Sequence, residues 1–143
     1  MKKLRLGLRI RALAAEAELT PAELAKATGI PIFTARKWLG DAPAEDTSVT
    51  VLVRLCAFFG CSAAFLTGMS DVRGTPPRPS REPFYRRLIY FLSSRNKTLY
   101  GLMRSTALTE TRLRAWQNGS EPLASDLCAV TEHLGVSPDE LLR

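Results

Sequence analysis

The chain repeats itself, and the repeat limits what it can fold into. Displaced by 78 residues, the sequence sets Trp38 on Trp116. The same shift sets Leu6, Ile10 and Leu13 on Phe84, Leu88 and Phe91, and Thr20, Leu24 and Ile30 on Thr98, Leu102 and Leu108. Beyond the tryptophans the displacement falls to 75, with Leu52, Leu55, Phe59 and Gly60 on Leu127, Val130, Leu134 and Gly135, so the first copy carries three extra residues in a loop. Similarity at a fixed displacement means one structural plan used twice. Each copy has about sixty residues, small for an independent fold but sufficient when its helices share one core.

Within each copy apolar residues recur at three- and four-residue spacing and no segment alternates with the period of a strand, so the expected fold class is all-α, with five short helices per copy. The run Leu123, Leu127, Val130 and Leu134 is the cleanest case. Thr20, Pro21 and Glu23 form a capping box with proline at the first helical position, as do Ser137, Pro138 and Glu140. Gly60 and Gly135 are helix stops. Between the copies lies RGTPPRPSREP, whose four prolines forbid a continuous helix. The expected organisation is a first domain over 1–72, a proline-rich linker over 73–83 and a second domain over 84–143. Ten residues of polyproline helix reach roughly 30 Å, so the linker is expected to act as a semi-rigid spacer.

Twenty Lys and Arg against fourteen Asp and Glu leave a charge of +6, a modest bias toward anionic partners. Cys56, Cys61 and Cys128 form no CxxC pair, and with a single histidine the chain has no ligand set for zinc, so neither metal nor cofactor is expected. Arg5, Arg9 and Arg11 interrupt what would have to be the apolar core of a secretory signal, and no stretch is long enough to span a membrane, which points to a cytoplasmic protein. No nucleophile and base arrangement, phosphate loop or carboxylate pair is present, so catalysis is not expected.

The segments LTPAELAKATGI with PIFTARKWLGD, and KTLYGLMRSTAL with TETRLRAWQNGS, resemble helices two and three of lambda-repressor-like (Cro/cI-type, Xre family) helix-turn-helix domains. The resemblance covers both copies, and GVSPDELLR is similar to the family's last helix. It implies two tandem five-helix domains, a double-stranded DNA partner, and a third helix that lies in the major groove. Both copies depart from the family in one respect: its usual glutamine at the start of helix two is Pro21 in one copy and Leu99 in the other.

In the second copy Leu108, Leu113 and Trp116 supply the inner face of the third helix, which turns Glu110, Thr111, Arg112, Arg114 and Gln117 outward, with Asn118 just past the last turn. Arginine can bind guanine, glutamine adenine and glutamate cytosine through their base edges. Thr109 caps this helix, and its positive dipole end favours a phosphate. Thr98, at the start of the preceding helix, completes the expected contacts. In the first copy the outward positions are Ile32, Phe33, Thr34, Arg36 and Lys37, and Pro31 replaces the capping threonine. Thr34, Arg36 and Lys37 are candidate DNA contacts. Ile32 and Phe33 can touch thymine methyls, but apolar groups at the tip of a recognition helix point rather to a protein contact, joined by Phe58 and, in the second copy, Tyr85 and Ile89.

The leading expectation is therefore a sequence-specific transcriptional regulator, a repressor by its resemblance. The alternative is a protein-binding antiactivator or antitoxin-like module that masks another regulator with its first copy. Assembly is open in the same way. One chain can imitate the dimer that single-domain relatives build, or two chains can pair through Ile32, Phe33 and their neighbours.

Overall fold

A computed structural model describes residues 4–40, 46–78 and 82–142. Linker residues 79–81 and both extreme ends of the expected domains lie outside the described residues. The fold is all-α, with ten helices among the described residues: α1 Leu6–Glu16, α2 Pro21–Thr28, α3 Ile32–Leu39, α4 Val49–Phe59, α5 Ala63–Thr67, α6 Phe84–Ser94, α7 Leu99–Ser105, α8 Glu110–Gln117, α9 Ala124–Leu134 and α10 Pro138–Leu142. None of them is long and apolar enough to cross a membrane.

The helix boundaries follow from local chemistry. The Thr20 hydroxyl accepts from the Glu23 N–H at 3.2 Å while the Glu23 carboxylate accepts from the Thr20 N–H at 3.1 Å, which is the expected capping box. The Ser48, Ser62, Thr98, Thr109 and Ser137 hydroxyls each accept from the N–H three residues on and so cap the helices that follow them, without a reciprocal bond. Gly60 and Gly135 end α4 and α9 in the left-handed conformation, at φ 67° and 70°.

In the first five helices α1 packs on α3 and α5, and α2 on α3 and α4; in the second five α6 packs on α8 and α10, and α7 on α9. Trp38 and Trp116 are both buried at the inner ends of α3 and α8. The buried stripe of α6 is displaced from Phe84, Leu88 and Phe91: Leu88 and Leu92 are buried, while Phe84 and Phe91 only lean on the core. Phe84 meets Trp116 edge-on at 5.3 Å and lines a cleft of about 260 Å3 between α4, α6 and α10, so its ring closes the core from the side.

The linker does not hold the two sets apart. Helices α4 and α9 touch, as do α5 and α10, and the buried side chains of both sets form one cluster. Arg73, expected in the linker, is tied to the first set. Its carbonyl accepts from Ser62 N–H at 2.8 Å and its guanidinium donates to the Phe59 carbonyl at 2.9 Å. Pro77 is buried. Burial of apolar surface at the junction outweighs the stiffness of a few prolines, because the chain need only fold back over the seam.

The seam is polar as well as apolar. The Val49 N–H donates to the Pro122 carbonyl at 3.1 Å and the Ala124 N–H to the Thr47 carbonyl at 2.7 Å, a single antiparallel bridge between Ser48 and Leu123. Asp46 accepts from the Ser125 N–H and hydroxyl, and Glu121 accepts from the Thr50 hydroxyl. The Asp139 carboxylate, at the head of α10, accepts from the Ala63 N–H at 2.8 Å and the Ala64 N–H at 3.0 Å, capping α5 across the seam. Replacing a capping side chain by alanine typically costs about 1 kcal/mol. Asp139→Ala is expected to lower the unfolding free energy by that order, read as a lower urea midpoint with an unchanged slope, and Asp139→Asn, which keeps an acceptor, by less.

Candidate nucleic-acid interface

Helices α2 and α3 meet through a turn fixed by Gly29, at φ 75°, and by buried Ile30. A side chain at Gly29 would be strained by that φ and would crowd the Arg54 guanidinium at 3.1 Å. Pro31 starts α3 without a side-chain cap. Ala35 and Trp38 face the core, and their phase leaves Ile32, Phe33, Arg36 and Lys37 exposed, with Thr34 half-buried. Ile32 is 43% and Phe33 67% exposed, and the Lys37 ammonium lies 5.4 Å from the centre of the Phe33 ring.

The second pair is built without a glycine turn. The Thr106 hydroxyl donates to the Leu102 carbonyl at 2.7 Å and accepts from the Leu108 N–H at 3.3 Å, closing the end of α7. Thr109 then caps α8 through the Arg112 N–H at 3.2 Å. With Leu113 and Trp116 buried, Glu110, Thr111, Arg112, Arg114, Gln117 and Asn118 are all exposed on α8 and its end. Thr98 stays at the surface with its hydroxyl engaged by the Gly101 N–H at 3.0 Å. Beside it stands Tyr100, 65% exposed, with the Arg104 guanidinium 5.7 Å from its ring. The sequence reading passed over this pair, whose signal was an aromatic and an arginine at i and i+4 on an outward helix face.

The two arginines of α8 differ. Arg112 donates to the Asp126 carboxylate at 2.7 Å, and that carboxylate is only 8% exposed and also accepts from the Leu123 N–H. Arg112 therefore ties α8 to the start of α9. Arg114 pairs with Glu110 at 3.0 Å one turn away, but both side chains are at least 70% exposed, and such pairs contribute about 0.3–0.5 kcal/mol. Arg114 can exchange Glu110 for another anion at little cost; Arg112 cannot leave Asp126 so freely.

The expected protein-contact residues are spread over three helices. Ile32 and Phe33 are on α3, Phe58 on α4 at 40% exposure, and Tyr85 and Ile89 on α6, where Tyr85 is half-buried against the core and Ile89 is 38% exposed. His133, near the end of α9, gives its carbonyl to Lys97 Nζ at 2.9 Å. Burial first, and the Lys97 charge second, hold its imidazole below the usual histidine range.

Residues 9–64 match the family model of the Cro/C1-type HTH DNA-binding domain. Comparison with curated proteins and with solved structures finds no match. The HTH match runs from α1 into α5 and so contains α2, the Gly29 turn and α3 in full. It supports a DNA-binding regulator at the level of the family. Helices α6–α10 lie outside it.

The division between the arginines is open to measurement. Arg112→Ala leaves a buried carboxylate without its cation and is expected to lower unfolding free energy by about 1–3 kcal/mol. Arg114→Ala is expected to stay within about 0.5 kcal/mol of the parent. Equal effects in urea denaturation would contradict the different roles given to the two side chains.

Proposed function

We propose that the chain is a sequence-specific double-stranded DNA-binding regulator of transcription, a cytoplasmic repressor that works by occupying its site. Helix α3 is one reading helix, α6–α10 form a second copy of the HTH plan, and α8 is the other reading helix. No catalytic step belongs to this reading. The HTH match over residues 9–64 supports it most: α3, with Arg36 and Lys37 outward, is the third helix of the matched segment, and in domains of this kind the third helix reads the major groove. The second copy is supported by the residue-by-residue repeat, by the same order of helices at nearly the same lengths, and by a capped α8 that turns Arg114, Gln117 and Asn118 to the surface. Arg114 and Gln117 suit guanine and adenine. Lys37 suits a phosphate, Arg36, which the 78-residue displacement sets on Arg114, suits a guanine in its own half, and Arg112 positions α8.

A second reading, in which the first copy masks another regulator, draws on the exposure of Ile32 and Phe33 at the tip of α3.

Selection of bound sequences from a random duplex pool tests the main reading, and an enriched motif is expected. Against the enriched duplex, Arg114→Ala should cost about 1–3 kcal/mol and relax the preference at one base pair. Lys37→Ala should weaken all duplexes alike and reduce the salt slope by about one. A pool that returns no motif sinks the DNA reading and leaves the masking role.

A further inference from the structure

The contacts across the seam come in mated pairs. The displacement of 75 residues carries Thr47, Ser48 and Val49 onto Pro122, Leu123 and Ala124. The bond from Val49 N–H to the Pro122 carbonyl therefore has as its mate the bond from Ala124 N–H to the Thr47 carbonyl, and the Ser48–Leu123 bridge is its own mate. Asp46 corresponds to Glu121 and Thr50 to Ser125, so the bond from Ser125 to Asp46 is the mate of that from Thr50 to Glu121. Helix α4 meets its counterpart α9, and α5 meets α10. Contacts that survive exchange of the two halves define an isologous, two-fold interface. Here it joins the halves of a single chain.

One contact breaks the symmetry. Asp139 caps Ala63 and Ala64, and its own counterpart is Ala64, which has no carboxylate to return. Two first halves paired on this face would lack the cap altogether. Two second halves would bring Asp139 against Asp139. The seam thus prefers unlike halves, and the short linker supplies the unlike half from the same chain at high effective concentration.

A two-fold preserves height along its axis, so the tips of α3 and α8 stand at equal height along it. The seam between the halves is closed, yet Ile32 and Phe33 remain exposed, as do their counterparts Glu110 and Thr111. Resting on the DNA reading above, we infer that one chain is a preformed pseudo-dimer that binds a non-palindromic duplex, with Ile32 and Phe33 set against thymine methyls in one half-site and Arg114 and Gln117 reading the other. Two-fold-related recognition helices enter successive major grooves about 34 Å apart. Apolar side chains match the thymine methyl and no other base group in the major groove. An apolar tip on α3 is then a reading surface, and the protein contact expected for it from sequence is not needed.

The test locks the seam. Ser48 and Leu123 face each other at the non-hydrogen-bonded position of an antiparallel pair, where Cα atoms stand about 4.5 Å apart, within the reach of a disulfide. The oxidised Ser48→Cys/Leu123→Cys chain is expected to remain a 15.8 kDa monomer with its two introduced thiols joined, a result independent of DNA. Bound to the duplex enriched from the random pool, the locked chain should give one chain per duplex by mass. Palindromes made from either half of that duplex should bind at least about tenfold more weakly. Ile32→Ser/Phe33→Ser, with helicity unchanged, should lose about tenfold in affinity and the thymine preference of one half-site only. Disulfides formed between chains, a palindromic motif carrying two chains, or loss on locking of a duplex that the reduced chain holds would each overturn the inference and leave DNA reading standing. A reduced chain that enriches no sequence removes the reading itself, and the inference with it.

Discussion

Residues 47–49 and 122–124, with Ser48 and Leu123 extended, exchange main-chain hydrogen bonds across the middle of the molecule, and the relation of its halves depends on that exchange. Backbone groups at a seam must find partners or be left dry and unpaired, at about 1–3 kcal/mol each. The bridge satisfies two donors and two acceptors with one pair of bonds, while Asp46, Glu121 and Asp139 take up helix N-terminal N–H groups and hydroxyls around it. Five helices of about sixty residues bury a modest core on their own. Joined at the seam, the two sets enclose one cluster of buried side chains. The seam also lies at the start of α4 in one half and of α9 in the other, the helices next in chain order after α3 and α8.

Much of this was legible in the sequence, for physical reasons that are local. Thr20, Pro21 and Glu23 announce a helix start because the bonds they make span three residues. Trp38 and Trp116, with their apolar neighbours at helical spacing, reveal which faces of α3 and α8 turn inward, and hence which residues are left outside. In α6 the repeat aligns Phe84, Leu88 and Phe91 with core residues of α1, yet Leu92 fills the core and the two rings lie at its margin, a difference that apolar spacing does not show.

What the sequence withheld is what depends on distant partners. Nothing near Arg112 says that its guanidinium will be taken by Asp126, because that carboxylate is placed by the packing of α9 on α7, not by spacing along α8. Asp139 lies 76 residues from the N–H group of Ala63 that it caps. The bridge at Ser48 and Leu123 involves segments too short to carry a strand pattern, in a chain that otherwise reads as helix throughout. The proline-rich linker misled in the same way: its stiffness was visible, whereas the apolar surface that draws the halves together was shared out among helices on both sides.

Placing both halves in one chain changes what the two outward helices are free to be. In a homodimer every substitution at a recognition helix is made twice, so the two halves of its site are bound to remain alike. Here Trp38 matches Trp116 in the core and Arg36 matches Arg114 outside, while the helix tips have parted: Ile32 and Phe33 stand where Glu110 and Thr111 stand, and half-buried Thr34 where Arg112 reaches Asp126. Core residues are held to a common pattern by packing, and each loss there costs several kcal/mol. Outward residues have no such constraint from the fold. Their divergence, beside a seam that keeps its mated bonds, separates the part of the repeat that holds the molecule together from the part that meets something else.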